Sequence, residues 1–173
     1  KKIAIKLSPM LDITAALHAL EGAWDVHIVA VRNEVKEVLL IQTDTTSTIH
    51  ATNLAPASCS DKQQDFIFIN EEEKNAHCTL YSESDTTINE KETYIYEPNA
   101  AIIKAGAFKL IAQRFELCKM AQHTHLYLAN HLIEDFPGRR WRVIAINPKD
   151  TKNIRANILT RNYPVTPEQL RKK

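Results

Sequence analysis

One stretch, YIYEPNAAIIKAGAFKLIAQRF at positions 94–115, constrains the fold of this chain more than any other. Tyr94, Ile95 and Tyr96 are strand formers, Pro98 suits the first turn of a helix, and Glu97 or Asn99 can cap that helix's free amides. Ile102, Ile103, Ala107, Leu110 and Ile111 recur at helical spacing, with Lys104, Lys109, Gln113 and Arg114 on the wettable side. A strand that runs straight into an amphipathic helix packs the helix on a sheet, which sets the class as α/β (α+β). Gly106 interrupts the helical run. On an unbroken helix Lys104 and Lys109 stand about 140° apart, so they face one groove only if Gly106 breaks it. The competing reading is that Gly106 merely lets the helix lie close to the sheet.

The rest of the chain supplies partners for that unit. Its 173 residues, 44% hydrophobic and 25% charged, suffice for one large core or two small ones. No apolar run approaches the roughly 20 residues that span a bilayer, and the Lys-Lys start lacks an apolar signal core, so the expected location is the cytoplasm without membrane contact. Cys59, Cys78 and Cys118 are widely spaced, with no C-x-x-C pair. Reduced, structural thiols are expected.

Charge is segregated along the chain. Residues 61–97 carry ten acids against three lysines, whereas residues 137–173 carry ten bases against two acids. The first region repels nucleic acid, and the second is a candidate phosphate-binding lobe.

Residues 2–7 alternate as a strand, Ser8-Pro9 turns it, and Leu11, Ala15, Leu17 and Leu20 describe an amphipathic helix ending at Gly22. Strands are expected at 24–31 and 35–42 around a turn at Arg32-Asn33-Glu34. The order strand, helix, strand, strand fits the end of an α/β sheet that closes on an antiparallel hairpin. Such a sheet normally has strands before it, so these elements borrow a partner or belong to something longer. The polar residues 43–47 mark an expected boundary. Further strands are expected at 48–54, 65–70, 125–129, 141–147 and 157–160. Helices are expected after Asn70, as a possible cap, and after Thr166; residues 82–92 read as a linker.

Several chemistries are disfavoured. His123 and His125 share a face, with Glu134 or Asp135 as remote ligands, but two surface imidazoles in a turn is the stronger reading. Ser8, His27 and Asp12 lack any G-x-S-x-G context for hydrolysis. His77 and Cys78 diverge in an extended segment. Glu71, Glu72 and Glu73 lack EF-hand spacing and read as a solvated helix start. No catalytic or metal residue is assigned.

The basic lobe carries more weight. Arginine forks suit phosphate, and aromatic rings stack on unpaired bases. In a strand, Arg140 and Arg142 share one face while Arg139 and Trp141 share the other. Trp141 is more often core, leaving Tyr163 as the better stacking candidate. RNA contact through Arg139, Arg140, Arg142, Lys152, Arg155, Arg161 and Tyr163, with Lys104 as an extension, stands slightly ahead of a merely solvated face.

Residues 94–115, with Phe136-Pro137-Gly138-Arg139 and Arg161-Asn162-Tyr163-Pro164, resemble the THUMP-like domain at the C-terminus of a bacterial class I S-adenosylmethionine-dependent methyltransferase family. Residues 66–73 (FIFINEEE) resemble the small ferredoxin-like piece before it, and residues 6–12 (KLSPMLD) and 33–37 (NEVKE) resemble the last strands of that family's Rossmann-like domain. The resemblance implies three parts: 1–43 from the Rossmann-like sheet, 44–92 ferredoxin-like, and 93–173 THUMP-like. It further implies a non-catalytic region that presents RNA, transfer or ribosomal, to an N-terminal methyltransferase domain in cis. The cofactor S-adenosylmethionine is implied for the parent protein. No cofactor is expected in this chain, because its three glycines are isolated and no glycine-rich loop exists. On its own it is expected to be inactive. The rival reading is a structural or dimerisation module without RNA contact; a ligand-sensing ferredoxin-like domain is a third.

Overall fold

The computed structural model describes residues 2–55, 63–82, 92–146, 155–160 and 164–171. Its first sheet begins with β1 (Ala4–Leu7), followed by α1 (Ile13–His18), β2 (Ala23–Val31) and β3 (Glu34–Thr43). β4 (Ile49–Leu54) and β5 (Gln64–Phe68) complete a five-stranded sheet in the order β1-β3-β2-β4-β5. β3 is antiparallel to both β1 and β2, and β4 is parallel to β2, so β1, β2 and β4 point the same way. β5 closes the edge antiparallel to β4.

Alternation fixes which face is buried. Trp24, Val26, Ile28 and Ala30 of β2 are buried, whereas Asp25, His27, Val29 and Val31 between them are only half-buried. Register puts Val38 and Leu40 of β3, Ile49 and Ala51 of β4, and Phe66 and Phe68 of β5 on the same covered face. Each large side chain among them contributes on the order of 1.5–3 kcal/mol by leaving water.

α2 (Asn70–Asn75) follows, then β6 (Tyr94–Pro98), α3 (Ala100–Ala105) and α4 (Phe108–Arg114). β7 (Cys118–Lys119), β8 (Tyr127–Ala129) and β9 (Gly138–Arg142) join β6 in an antiparallel sheet ordered β7-β8-β6-β9, and α5 (Pro167–Arg171) comes last. α3 packs on β2, β3 and β4 of the first sheet. Ala101 and Ile102 therefore belong to one continuous core with Trp24, Leu40, Tyr96 and Tyr127. The two fully buried tyrosines keep their hydroxyls satisfied: Tyr96 donates to the His131 carbonyl at 2.8 Å and Tyr127 to that of Phe108 at 2.9 Å. Burial pushes the Tyr127 hydroxyl well above its usual range.

The mixed α/β class and the hairpin of β2 and β3 agree with the sequence. The break at Gly106 is real: it caps α3 with φ 76°, and α4 starts two residues later. A Cβ there would meet nothing within 4 Å, so left-handed backbone, not close packing, calls for glycine.

Other expectations need correction. Residues 43–47 do not divide units, because β4 pairs with β2 in the same sheet. The strands expected to form a separate ferredoxin-like unit over 44–92 are thus part of the sheet built by residues 4–43. Asn70 does not cap α2; the Glu72 carboxylate instead accepts from the Ile69 amide at 2.8 Å. Nor is that acidic turn merely solvated: Glu73 accepts from the Lys109 and Leu110 amides at 3.0 and 2.7 Å, capping α4, and Glu72 pairs with Arg114 at 2.8 Å. Residues 157–160 form no strand. Cys59 and residues 83–91 of the expected linker lie outside the described residues.

Candidate functional site

A cleft of about 720 Å³ lies where the two sheets meet. Its floor is a chain of carboxamides set by four elements. Arg32 and Asn33 form the two-residue turn between β2 and β3, both at positive φ (53° and 62°), the mark of a type I′ hairpin. The Asn33 amide donates to Asn53 Oδ1 at the end of β4, at 3.0 Å. Asn53 Nδ2 and Asn99 Nδ2 both donate to Gln64 Oε1 of β5, at 3.2 and 3.3 Å. Asn99 Oδ1 caps α3 through the Ile102 amide at 3.1 Å, and Asn33 Oδ1 takes the Ala100 amide at 2.7 Å.

β9 forms the other wall. It is an edge strand paired with β6, so Arg139 faces the same side as Glu97, and Arg140 the same side as Tyr96. Arg139 Nη2 lies 2.6 Å from the nearly buried Glu97 carboxylate, and its guanidinium sits 5.6 Å from the Trp141 ring centre. The Arg140 guanidinium donates to the carbonyls of Ile133 and Glu134. Glu134 and Asp135 add acceptors at the rim.

The expected RNA-contacting residues therefore separate. Arg139 and Arg140 line the cleft, and Arg142 is exposed on the Arg140 side of β9. Arg155 is exposed on an irregular segment. Lys104 is not an extension of this wall: its ammonium donates to the Leu11 carbonyl at 2.7 Å and ties α3 to the loop before α1. Lys152, Arg161 and Tyr163 lie outside the described residues. Trp141 is not core; at 37% exposure it borders a second cleft of about 550 Å³ with Ile95, Leu126, Leu159 and Leu170.

Arg32, Asn33, Asn53, Gln64 and Asn99 were not foreseen as site residues. Only Arg32 carries a local signal: a hairpin turn that favours asparagine or glycine holds an arginine instead.

The remaining ionisable clusters are structural in scale. His27 and His50 stack with ring centres 4.4 Å apart on the open face of the first sheet. Burial and the neighbouring His50 hold His27 below its ordinary pKa. Burial would raise Asp25, but bonds from the Thr48 amide and hydroxyl, at 2.8 and 2.7 Å, outweigh it and leave the carboxyl below its usual range. His125 stacks on Phe108 at 4.2 Å, and burial lowers its pKa. Among the described residues no three His, Cys, Asp or Glu side chains converge to hold a metal ion. Among them, too, no helix is long and apolar enough to cross a membrane.

A family of ferredoxin-like domains matches residues 94–137, the stretch from β6 to the start of β9. That match falls in the segment expected to be THUMP-like, not in 44–92. The crystal structure of a "putative methyltransferase" from Porphyromonas gingivalis W83 is similar over 99% of this chain, with 32% identity and a TM-score of 0.81. The chain spans 44% of that protein's length. No curated protein matches the sequence.

Gly22 and Gly106 are spent on left-handed turns, and a Cβ on Gly138 would meet the Glu97 carbonyl oxygen at 2.1 Å.

Proposed function

We propose that this chain is the substrate-holding region of an S-adenosylmethionine-dependent RNA methyltransferase. Transfer chemistry is assigned to an N-terminal catalytic domain in cis, a reading supported by the chain spanning only 44% of the length of the similar Porphyromonas protein. That domain would bind the cofactor and supply the methyl group; this chain's residues bind and orient transfer or ribosomal RNA.

The observation that carries this reading is β9, an edge strand reading Gly-Arg-Arg-Trp-Arg whose last four side chains are exposed. Guanidinium forks engage phosphate oxygens bidentately, and a half-exposed indole offers a stacking face. The first sheet supports the methyltransferase half of the reading, because β1-β3-β2 places an antiparallel strand between two parallel ones at the end of an α/β sheet.

Photocrosslinking to 4-thiouridine-labelled RNA tests it. Crosslinked peptides should cluster on residues 138–146. Crosslinks confined to the acidic α2 face, or none at all, would overturn the reading. Calorimetry of the chain with S-adenosylmethionine should show no saturable binding.

A further inference from the structure

We infer that the inter-sheet cleft is a phosphoryl-binding site whose anchor is Arg32, an inference that rests on the RNA reading and names the group held. The Arg32 backbone has φ 53°, a left-handed conformation that disfavours most non-glycine residues and suits asparagine better. Its amide is fixed to the Leu54 carbonyl at 3.1 Å, yet its exposed side chain makes no bond within the described residues while lining the cleft. A charged side chain held at an unfavoured backbone position without an internal partner points to an external one.

The carboxamides around it have their oxygens engaged. Gln64 Oε1 accepts two bonds, and Asn33, Asn53 and Asn99 each use their oxygen on a backbone amide. Among the described residues, the Nδ2 group of Asn33 and the Nε2 group of Gln64 donate to no partner. Arg140, steadied by the Ile133 and Glu134 carbonyls, adds a second guanidinium from the facing wall. Two guanidinium groups and two carboxamide N–H groups outnumber the rim carboxylates of Glu134 and Asp135 and favour an anion rich in acceptors. The cleft also opens at the carboxyl ends of the parallel strands β2 and β4, where α/β sheets place ligands. Its volume of about 720 Å³ is in the range of small-ligand sites and admits a phosphoryl group with the nucleoside attached.

The phosphoryl group has two sources, an RNA backbone and a free mononucleotide. Binding of a fluorescein-labelled single-stranded oligoribonucleotide and of adenosine monophosphate is therefore measured on the chain and on R32N, R32K and R142E. Asparagine is favoured in this turn, so R32N should fold at least as stably as the parent. We expect R32N to weaken oligoribonucleotide binding about tenfold and to lower the salt slope by about 0.7, with partial recovery in R32K. If R142E weakens RNA binding and R32N does not, the cleft assignment falls while the RNA reading stands. If only the mononucleotide binds, and R32N abolishes it, the cleft assignment stands with a free nucleotide as ligand and the RNA reading falls. Nucleotide and RNA affinities both unchanged in R32N would overturn the assignment.

Discussion

The side chain of Asn33, in the β2–β3 turn, accepts a 2.7 Å hydrogen bond from the backbone amide of Ala100, the first residue of α3. One carboxamide thus joins the hairpin of the first sheet to the helix that leaves the second. Asn33 also donates its own backbone amide to Asn53 in the floor of the cleft. Glycine at position 33 keeps the positive φ and removes only the side-chain bond. N33G should lower stability by about 1–2 kcal/mol in urea denaturation, because a half-buried amide loses its partner.

Gly106 and Gly138 should respond differently to alanine. At Gly106 the surroundings are open, so G106A bears only the left-handed backbone cost of about 1–2 kcal/mol. At Gly138 a Cβ would lie 2.1 Å from the Glu97 carbonyl oxygen and 2.9 Å from Pro98 Cα, both backbone atoms that cannot move aside cheaply. G138A should cost about 3 kcal/mol or more and disturb the β6–β9 pairing. Thermal unfolding of the two variants side by side checks the order.

Arg139 has a structural duty that Arg142 lacks. Its guanidinium neutralises Glu97, whose side chain is only 7% exposed. R139A should destabilise the chain by roughly 1–3 kcal/mol, with E97Q in the same background recovering part of the loss. A double-mutant cycle by urea denaturation measures the coupling. Loss of RNA binding in R139A alone would therefore report unfolding as readily as a lost contact, which is why R142E and R32N are the informative variants.

Acid should weaken the fold before carboxylates titrate. Burial depresses His27, helped by His50, and burial depresses His125, helped by Lys119. The unfolded chain, with histidines near 6.5, then binds more protons than the folded one below that pH. The stability these neutral rings supply is complete above about 6.5 and is lost as pH falls through their lowered folded values. Urea midpoints measured from about pH 7.5 to 5 should fall, and H27Q/H125Q should flatten the curve. Midpoints that rise on acidification would contradict this.

What sequence made legible was local. The hairpin around Arg32-Asn33 and the strand–cap–helix of residues 94–105 follow from alternation, turn chemistry and Asn99. The failures are long-range. A polar spacer at 43–47 looks like a boundary, but nothing in it says that β4 will lie parallel to β2. Trp141 looks like core until its strand proves to be an edge with an exposed face. The amide chain joins residues 33, 53, 64 and 99, which stand far apart in sequence, and only folding brings them together.

Salt dependence of RNA binding tests the central claim most directly. With a single-stranded oligoribonucleotide, the logarithm of affinity should fall steeply and linearly with the logarithm of salt, with a slope of about −0.7 for each phosphate contact. R142E should lower both affinity and slope. Binding that is absent, or unaffected by salt and by R142E, would contradict the account and leave the chain a structural or dimerisation module.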